Sequence, residues 1–125
     1  MTPMTLTVPA QAEWTLVMRM AVSGVSAMCD IPLDVMDDLN TAVEESCDLL
    51  LHQDYSARAL TLTCLKEKGS LALTLEAMDR EEKKEAERAD ADIALLILKT
   101  LVSDVRFSQD AGGVYAVRLS LPAGA

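Results

Sequence analysis

Basic residues are scarce in this chain. Eleven Lys and Arg stand against twenty Asp and Glu, a net charge of −9, and a domain of this size and sign repels phosphate backbones and anionic lipid. Nucleic acid and membrane surfaces are therefore excluded as expected partners. A single His, His52, excludes a histidine-built metal site. The three cysteines, Cys29, Cys47 and Cys64, have neither close pairing nor metal-type spacing and read as buried free thiols in a reducing compartment. Long hydrophobic runs are missing too: the longest strongly apolar stretch, Ile93 to Leu98, is far too short to span a bilayer. The N-terminus carries no basic leader segment, and the expected location is the cytoplasm. No internal repeat or low-complexity linker divides the chain. Its 125 residues, half of them apolar, are expected to form one domain, residues 1–125, around a single core.

What is present is periodicity. Thr5-Leu6-Thr7-Val8 alternates and stops at Pro9, which predicts a short strand at a sheet edge. From Ala10 to Met28, a broad helical stripe runs through Trp14, Val17, Met18, Ala21, Val22, Val25 and Met28, and a second through Leu16, Met20, Gly24 and Ala27. Only Thr15, Arg19, Ser23 and Ser26 make a polar strip. Two arrangements satisfy this pattern: one face on the core with the other open to a partner, or full burial beneath a sheet. Pro32, Asp34, Asp37 and Asp38 mark the start of a second helix. Its stripe of Met36, Leu39, Val43, Cys47 and Leu50 faces a core, and Asp37, Asp38, Glu44, Glu45 and Asp48 line the other side.

After Gln53 and Asp54, Leu60, Leu62 and Cys64 alternate with threonines, as do Leu71, Leu73, Leu75 and Ala77 with Ala72, Thr74 and Glu76. The turn Glu67-Lys68-Gly69 between them predicts an antiparallel hairpin with one covered face. Met78 to Asp92 has seven acidic and four basic residues and no apolar stripe. Asp79, Lys83 and Glu87 stand at helical spacing there, which predicts a solvated helix or a mobile loop. Ile93 to Val102 is apolar almost all round and predicts a buried helix. Val105 to Ser108, a turn at Asp110 to Gly113, and Val114 to Leu121 predict a second hairpin, with fraying from Pro122 to Ala125. The order predicts an α+β two-layer sandwich, with helices on one face of a mixed, mostly antiparallel sheet.

Three stretches carry a family resemblance: VPAQAEWTLVMRMAVSGVSAM, DDLNTAVEESCDLL and LKTLVSDVRFSQDAGGVYAV. They resemble the anti-sigma-factor serine kinases of the RsbW/SpoIIAB family, within the GHKL (histidine kinase and HSP90-like) ATPase superfamily. The likeness runs nearly end to end and is weakest between Met78 and Asp92. It implies a Bergerat-type fold, a homodimer, and binding of a sigma factor that is released when an anti-anti-sigma protein engages.

The family's chemistry is compared position by position. A Glu activates the attacking hydroxyl or water, and an Asn one turn later holds Mg²⁺ on the ATP phosphates. Glu45 matches the Glu, but Leu49 stands at the Asn position and offers a hard cation no oxygen. In the Leu75-Glu76-Ala77-Met78-Asp79 strand, Ala77 replaces the adenine-reading Asp, with Asp79 two residues away and reachable through a bulge. The family's last glycine-rich motif reads Ala91-Asp92-Ile93-Ala94-Leu95, where side chains and an added carboxylate close a phosphate cradle. Three lost contacts at roughly 1.5–3 kcal/mol each weaken nucleotide binding about a thousandfold or more.

The expected function is therefore a regulatory protein-binding module resembling an anti-sigma factor, without cofactor, with Glu45 a vestige of the family base. The alternative is a Mg-ATP-dependent serine kinase of an anti-anti-sigma partner that also sequesters a sigma factor. Cys47 has only His52 nearby to activate it and reads as core. Arg19 has no helical partner at i+4 or i−4, and the resemblance implies that an Arg at its place contacts the sigma factor and the anti-anti-sigma partner in turn. A stem lying over Trp14 or Leu16 is the other reading of Arg19.

Overall fold

A computed structural model describes residues 2–85 and 88–124. The uncharged alternating segment Met4–Pro9 forms β1, and a 3-10 turn at Ala12–Trp14 leads into α1, Thr15–Met28. Asp30 ends α1 by adopting a left-handed conformation (φ 55°), while the amides of Cys29 and Ile31 return to the Ser26 carbonyl at 3.1 and 3.0 Å. The last turn is thus closed by the chain's own donors, with Asp where Gly is commoner. Pro32, which has no amide proton to strand, opens α2, Leu33–Leu51. Then come β2 (Tyr55–Ser56), β3 (Ala59–Glu67), β4 (Ser70–Met78), β5 (Glu81–Glu82), α3 (Ala91–Leu101), β6 (Asp104–Asp110) and β7 (Gly113–Pro122).

The main sheet has five strands in the order β1-β3-β4-β7-β6, and β2 and β5 make a separate two-stranded ladder. Every strand pairing among the described residues is antiparallel, so the mostly antiparallel expectation holds without a parallel pair. Register lines the leucines up across the sheet: Leu62 opposes Leu75, which opposes Val117, and Cys64 opposes Leu73, which opposes Leu119. These face α1 and α2, whose Met18, Val22, Leu39, Val43 and Leu50 complete the core. The α+β two-layer architecture is the expected one. The other sheet face presents Thr61, Thr63, Thr74 and Arg118, none of them fully buried.

The buried-helix reading of Ile93 to Val102 is corrected. In α3 only Ala94 and Leu98 are buried, while Ile93, Leu96 and Ile97 are 57, 68 and 39 % exposed. α3 packs along one side of α2 and over β6, and a helix at the end of a layer buries one stripe, whatever its remaining faces carry.

The reading of Met78 to Asp92 is corrected as well. From Asp79 to Asp90 its described residues are neither helix nor free loop but a strap across the C-terminal end of α2, and Ala91 and Asp92 already belong to α3. β5 pairs with β2, the Lys83 amide donates to the Asp54 carbonyl (3.2 Å), and the Ala89 amide donates to the His52 carbonyl (2.7 Å). Backbone groups with such partners hold an extended path that charge spacing alone does not reveal. Pairing of Lys83 with Glu87 lies outside the described residues, as does the fraying expected at Ala125. Pro122 still belongs to β7, and the Ala123 amide donates to Gly69 at 3.1 Å.

One buried side chain joins the layers. Gln53, 0 % exposed, donates through Nε2 to the Leu49 and His52 carbonyls at 2.9 and 3.0 Å and accepts the Val114 amide at 2.9 Å. It so caps α2 and fixes the start of β7. Gly113 (φ +106°) passes so close that any Cβ there would collide with Gln53 Oε1. Replacing Gln53 by Leu orphans the buried Val114 amide, while the Leu49 and His52 carbonyls keep their backbone donors, with an expected loss of about 1–3 kcal/mol in urea unfolding. A loss below about 0.5 kcal/mol, the range of ordinary surface changes, would remove Gln53 as the joint.

Candidate functional site

The candidate residues lie on three elements. Glu45 is partly exposed on α2 and lines a shallow groove of about 460 Å³ with Ala12, Thr15, Thr41 and Glu44. Leu49, one turn on and on the same side of the helix, sits deeper: it is 2 % exposed and belongs to the core. Ala77 and Asp79 instead line a larger groove of about 890 Å³ with Tyr55, Arg80 and Asp110. Ala77 is itself buried opposite Leu60. Asp79 is exposed in a left-handed conformation (φ 53°) just past the end of β4. Glu45 and Asp79 thus open onto different grooves.

The third element is the start of α3. Ala91, Asp92 and Ala94 are already helical. Asp90 precedes them as a capping residue, and its Oδ1 accepts the Asp92 and Ile93 amides at 2.9 and 3.1 Å. These are the donors that a phosphate would use at a helix N-terminus, and the chain's own carboxylate occupies them. Among the described residues no three His, Cys, Asp or Glu side chains converge on a metal-sized site.

The large groove owes its shape to arginines of the strap. Arg80 donates to Asp110 Oδ2 (3.0 Å), and its guanidinium lies 4.3 Å from the Tyr115 ring centre and 5.3 Å from that of Tyr55. The Arg80 hydrogen bond, joined by one from the Gly112 amide, holds the Asp110 carboxyl below the usual carboxylate range. Tyr55 is buried, donates to the Val114 carbonyl at 2.7 Å, and has its phenol pushed well up by burial. Arg88 donates to Asp54 and, at 2.9 Å, to the Ala111 carbonyl. Arg80 and Arg88 were not legible as a pair, because their mates Asp54 and Asp110 come from distant turns.

The polar strip of α1 faces α2. Arg19 pairs with Glu44 at 3.6 Å, with side chains 41 and 62 % exposed, and Asn40 Nδ2 donates to Ser23 Oγ at 2.9 Å. Arg19 therefore has an intramolecular mate, from the next helix rather than its own. So exposed a pair contributes about 0–1 kcal/mol and yields readily to another carboxylate. The second α1 stripe is open, with Leu16 and Met20 mostly exposed. Of the two arrangements for α1, the structure takes the one with a free face.

No protein-family model matches the chain, and no curated protein matches it in sequence. The chain is similar to the crystal structure of the RsbU and RsbW domains of a Mycobacterium tuberculosis protein, with a TM-score of 0.73 and 16 % identity over 98 % of this chain. It spans 33 % of the length of that protein's chain, and at this identity the likeness establishes the fold alone. No described helix is long and apolar enough to cross a membrane.

Cys29, Cys47 and Cys64 are buried and free. Burial pushes the Cys47 thiol from 9.0 up to about 11, against a hydrogen bond with Thr15 that lowers it, and burial likewise pushes Cys64 to about 11. Neither forms a nucleophilic thiolate near neutral pH. A raised folded value means that the thiols' contribution is full below pH 9 and is lost as pH climbs through about 11. At about 1.4 kcal/mol per unit, unfolding free energy is expected to fall with rising pH across that window. The fall should be smaller in a Cys47→Ala/Cys64→Ala variant; equal pH dependence in both proteins would contradict the burial argument.

Proposed function

We propose that this domain is a regulatory protein-binding module of the anti-sigma type that works through protein contacts and without nucleotide. The observation that carries the reading is Leu49: at the position of the family's Mg²⁺-holding Asn, the chain places a side chain that the core has closed over. The occupied amides at the start of α3 support it independently. A sigma factor or an anti-anti-sigma protein is the partner that the RsbW-like fold favours. The three buried free thiols support a reducing compartment such as the cytoplasm, and the net charge of −9 argues against nucleic acid. Glu45, partly exposed at the place of the family's base, is the one residue that favours the serine-kinase alternative.

Millimolar Mg-ATP is expected to leave the melting temperature unchanged. A ligand at a hundred times its dissociation constant adds about 2.7 kcal/mol, so a rise of several degrees would sink the reading. Leu49→Asn is expected to lose roughly 2–4 kcal/mol, since it buries an amide without partners. Calorimetry on that variant should still detect no ATP.

Arg19 is the proposed partner-binding residue, exchanging Glu44 for a carboxylate or carbonyl of the bound protein. The free protein is proposed to be a homodimer, paired along the uncharged outer edge of β1. Co-purification from the native host followed by titration should show Arg19→Ala with an unchanged unfolding midpoint and partner affinity weaker by roughly 2 kcal/mol. Light scattering in the same experiment should report two chains per particle. Undiminished affinity would move recognition away from α1, and a monomer at tens of micromolar would remove the dimer.

A further inference from the structure

The apolar face of α3 has a neighbour that specifies what lies on it. A hollow of about 450 Å³ lies where the start of α2 meets the end of α3, with Val35 and Asp38 on one wall, Thr100 and Leu101 on the other and Leu121 of β7 beneath, and it opens onto the groove between the two helices. At helical spacing, the Thr100 wall continues back along α3 as Ile97, Leu96 and Ile93, all exposed. Asp38 shares its side of α2 with Asp34 and, two turns on, with Glu45, which stands on the crest between this hollow and the groove toward Ala12 and Thr15. One wall is thus apolar and the other acidic over two to three turns. Salt bridges among the described residues leave Asp34, Asp38 and Glu45 without a basic mate.

We infer that the groove between α2 and α3 is a docking site for an amphipathic basic helix of a protein partner, which lays its apolar side on Ile93, Leu96 and Ile97 and its Lys or Arg side against Asp34, Asp38 and Glu45. Charge complementarity selects this occupant. A second copy of the chain would bring a like-charged surface of net charge −9 toward the acidic wall. An anionic membrane would be repelled by the same carboxylates. Ile93, Leu96 and Ile97 stand at i, i+3 and i+4 and so form one apolar ridge on the exposed side of α3, against which an amphipathic helix can lay its own apolar side. Glu45, displaced from any nucleotide, gains a role in this wall. The inference rests on the protein-binding reading above and adds to it where the partner sits and what chemistry it has.

The test uses the full chain and a synthetic helical peptide of about 18 residues with leucines on one face and lysines on the other. Its control is the same peptide with Glu for every Lys. The Lys peptide is expected to bind at least tenfold tighter than the Glu peptide, and to weaken when salt rises from about 0.1 to about 1 M, which shortens the screening length from ~10 to ~3 Å. Amide shifts in the unsubstituted protein should move along α2 and α3, a measurement that needs no variant. The exposed pairs Leu96→Asp/Ile97→Asp and Asp34→Lys/Asp38→Lys should each weaken the Lys peptide at least tenfold. Equal binding of both peptides, shifts confined to other elements, or affinity untouched by both variant pairs would each overturn the site. Vesicles of neutral lipid that bind the protein and release the Leu96→Asp/Ile97→Asp variant would assign the face to a membrane and overturn it too. Stabilisation by Mg-ATP fails the binding-module reading without touching these peptide results. A native partner lost in Arg19→Ala but held by both groove variants fails the groove and leaves that reading intact.

Discussion

The stripe of α2 that faces the sheet governs the rest of the molecule. Leu39, Val43, Leu49 and Leu50 are nearly or fully buried there, and α2 packs against α1, α3, β4 and β7. With the stripe fixed, a rotation of α2 large enough to bring Leu49 to the surface would drag its neighbours out of the core. At about 25 cal/mol per Å² of apolar surface, each exposed leucine costs on the order of 2 kcal/mol. The direction of Glu45, the acidic ridge beside it and the position of Arg19's mate Glu44 all follow from that one orientation. So does the path of the strap, which hangs on carbonyls at the end of α2 and just beyond it.

Several polar groups that could have received a ligand are satisfied from within, although Asp54 Oδ1 at the large groove is buried without a partner among the described residues. The Asp90 carboxylate sits on the α3 amides. Arg80 is shared by Asp110 and two tyrosine rings, and Arg88 by Asp54 and the Ala111 carbonyl. A ligand entering either place would first have to displace a charge-assisted contact that needs no translational entropy to form. The helical layer differs. There α3 and the outer side of α1 leave apolar side chains in water, and the ridge between them bears carboxylates. The apolar surface left in water is concentrated on the helical layer.

The five strands of the main sheet and their two hairpins were legible because each rests on local rules, whereas the short β2–β5 ladder was not. Alternation set which residues faced inward, Gly69 (φ +81°) and the Asp110–Gly113 turn set the reversals, and Pro9 marked an edge. The stripe of α2 was legible for the same reason, from Met36 to Leu50. Arg19's mate was not, because Glu44 belongs to the next helix and not to the i+4 or i−4 positions of its own. The exposure of Ile97 escaped as well: composition says that a residue avoids water, while topology decides whether a layer remains to cover it. Gln53 looked like a polar residue ending a helix. Only the fold brings the Val114 amide to its side chain, across a separation that no window spans.

The two edges of the sheet are not alike. β6 carries Asp104, Arg106 and Asp110 along its length, with an irregular register between Ser108 and Gln109, and such an edge refuses another strand. β1 offers Thr and Leu without a charge between its two prolines, Pro3 and Pro9. A ribbon that can grow at one end only must stop after a single addition. Edge pairing in this molecule is therefore self-terminating, and the same unprotected strand that would seed a fibril in a sheet open on both sides here can close nothing larger than a pair.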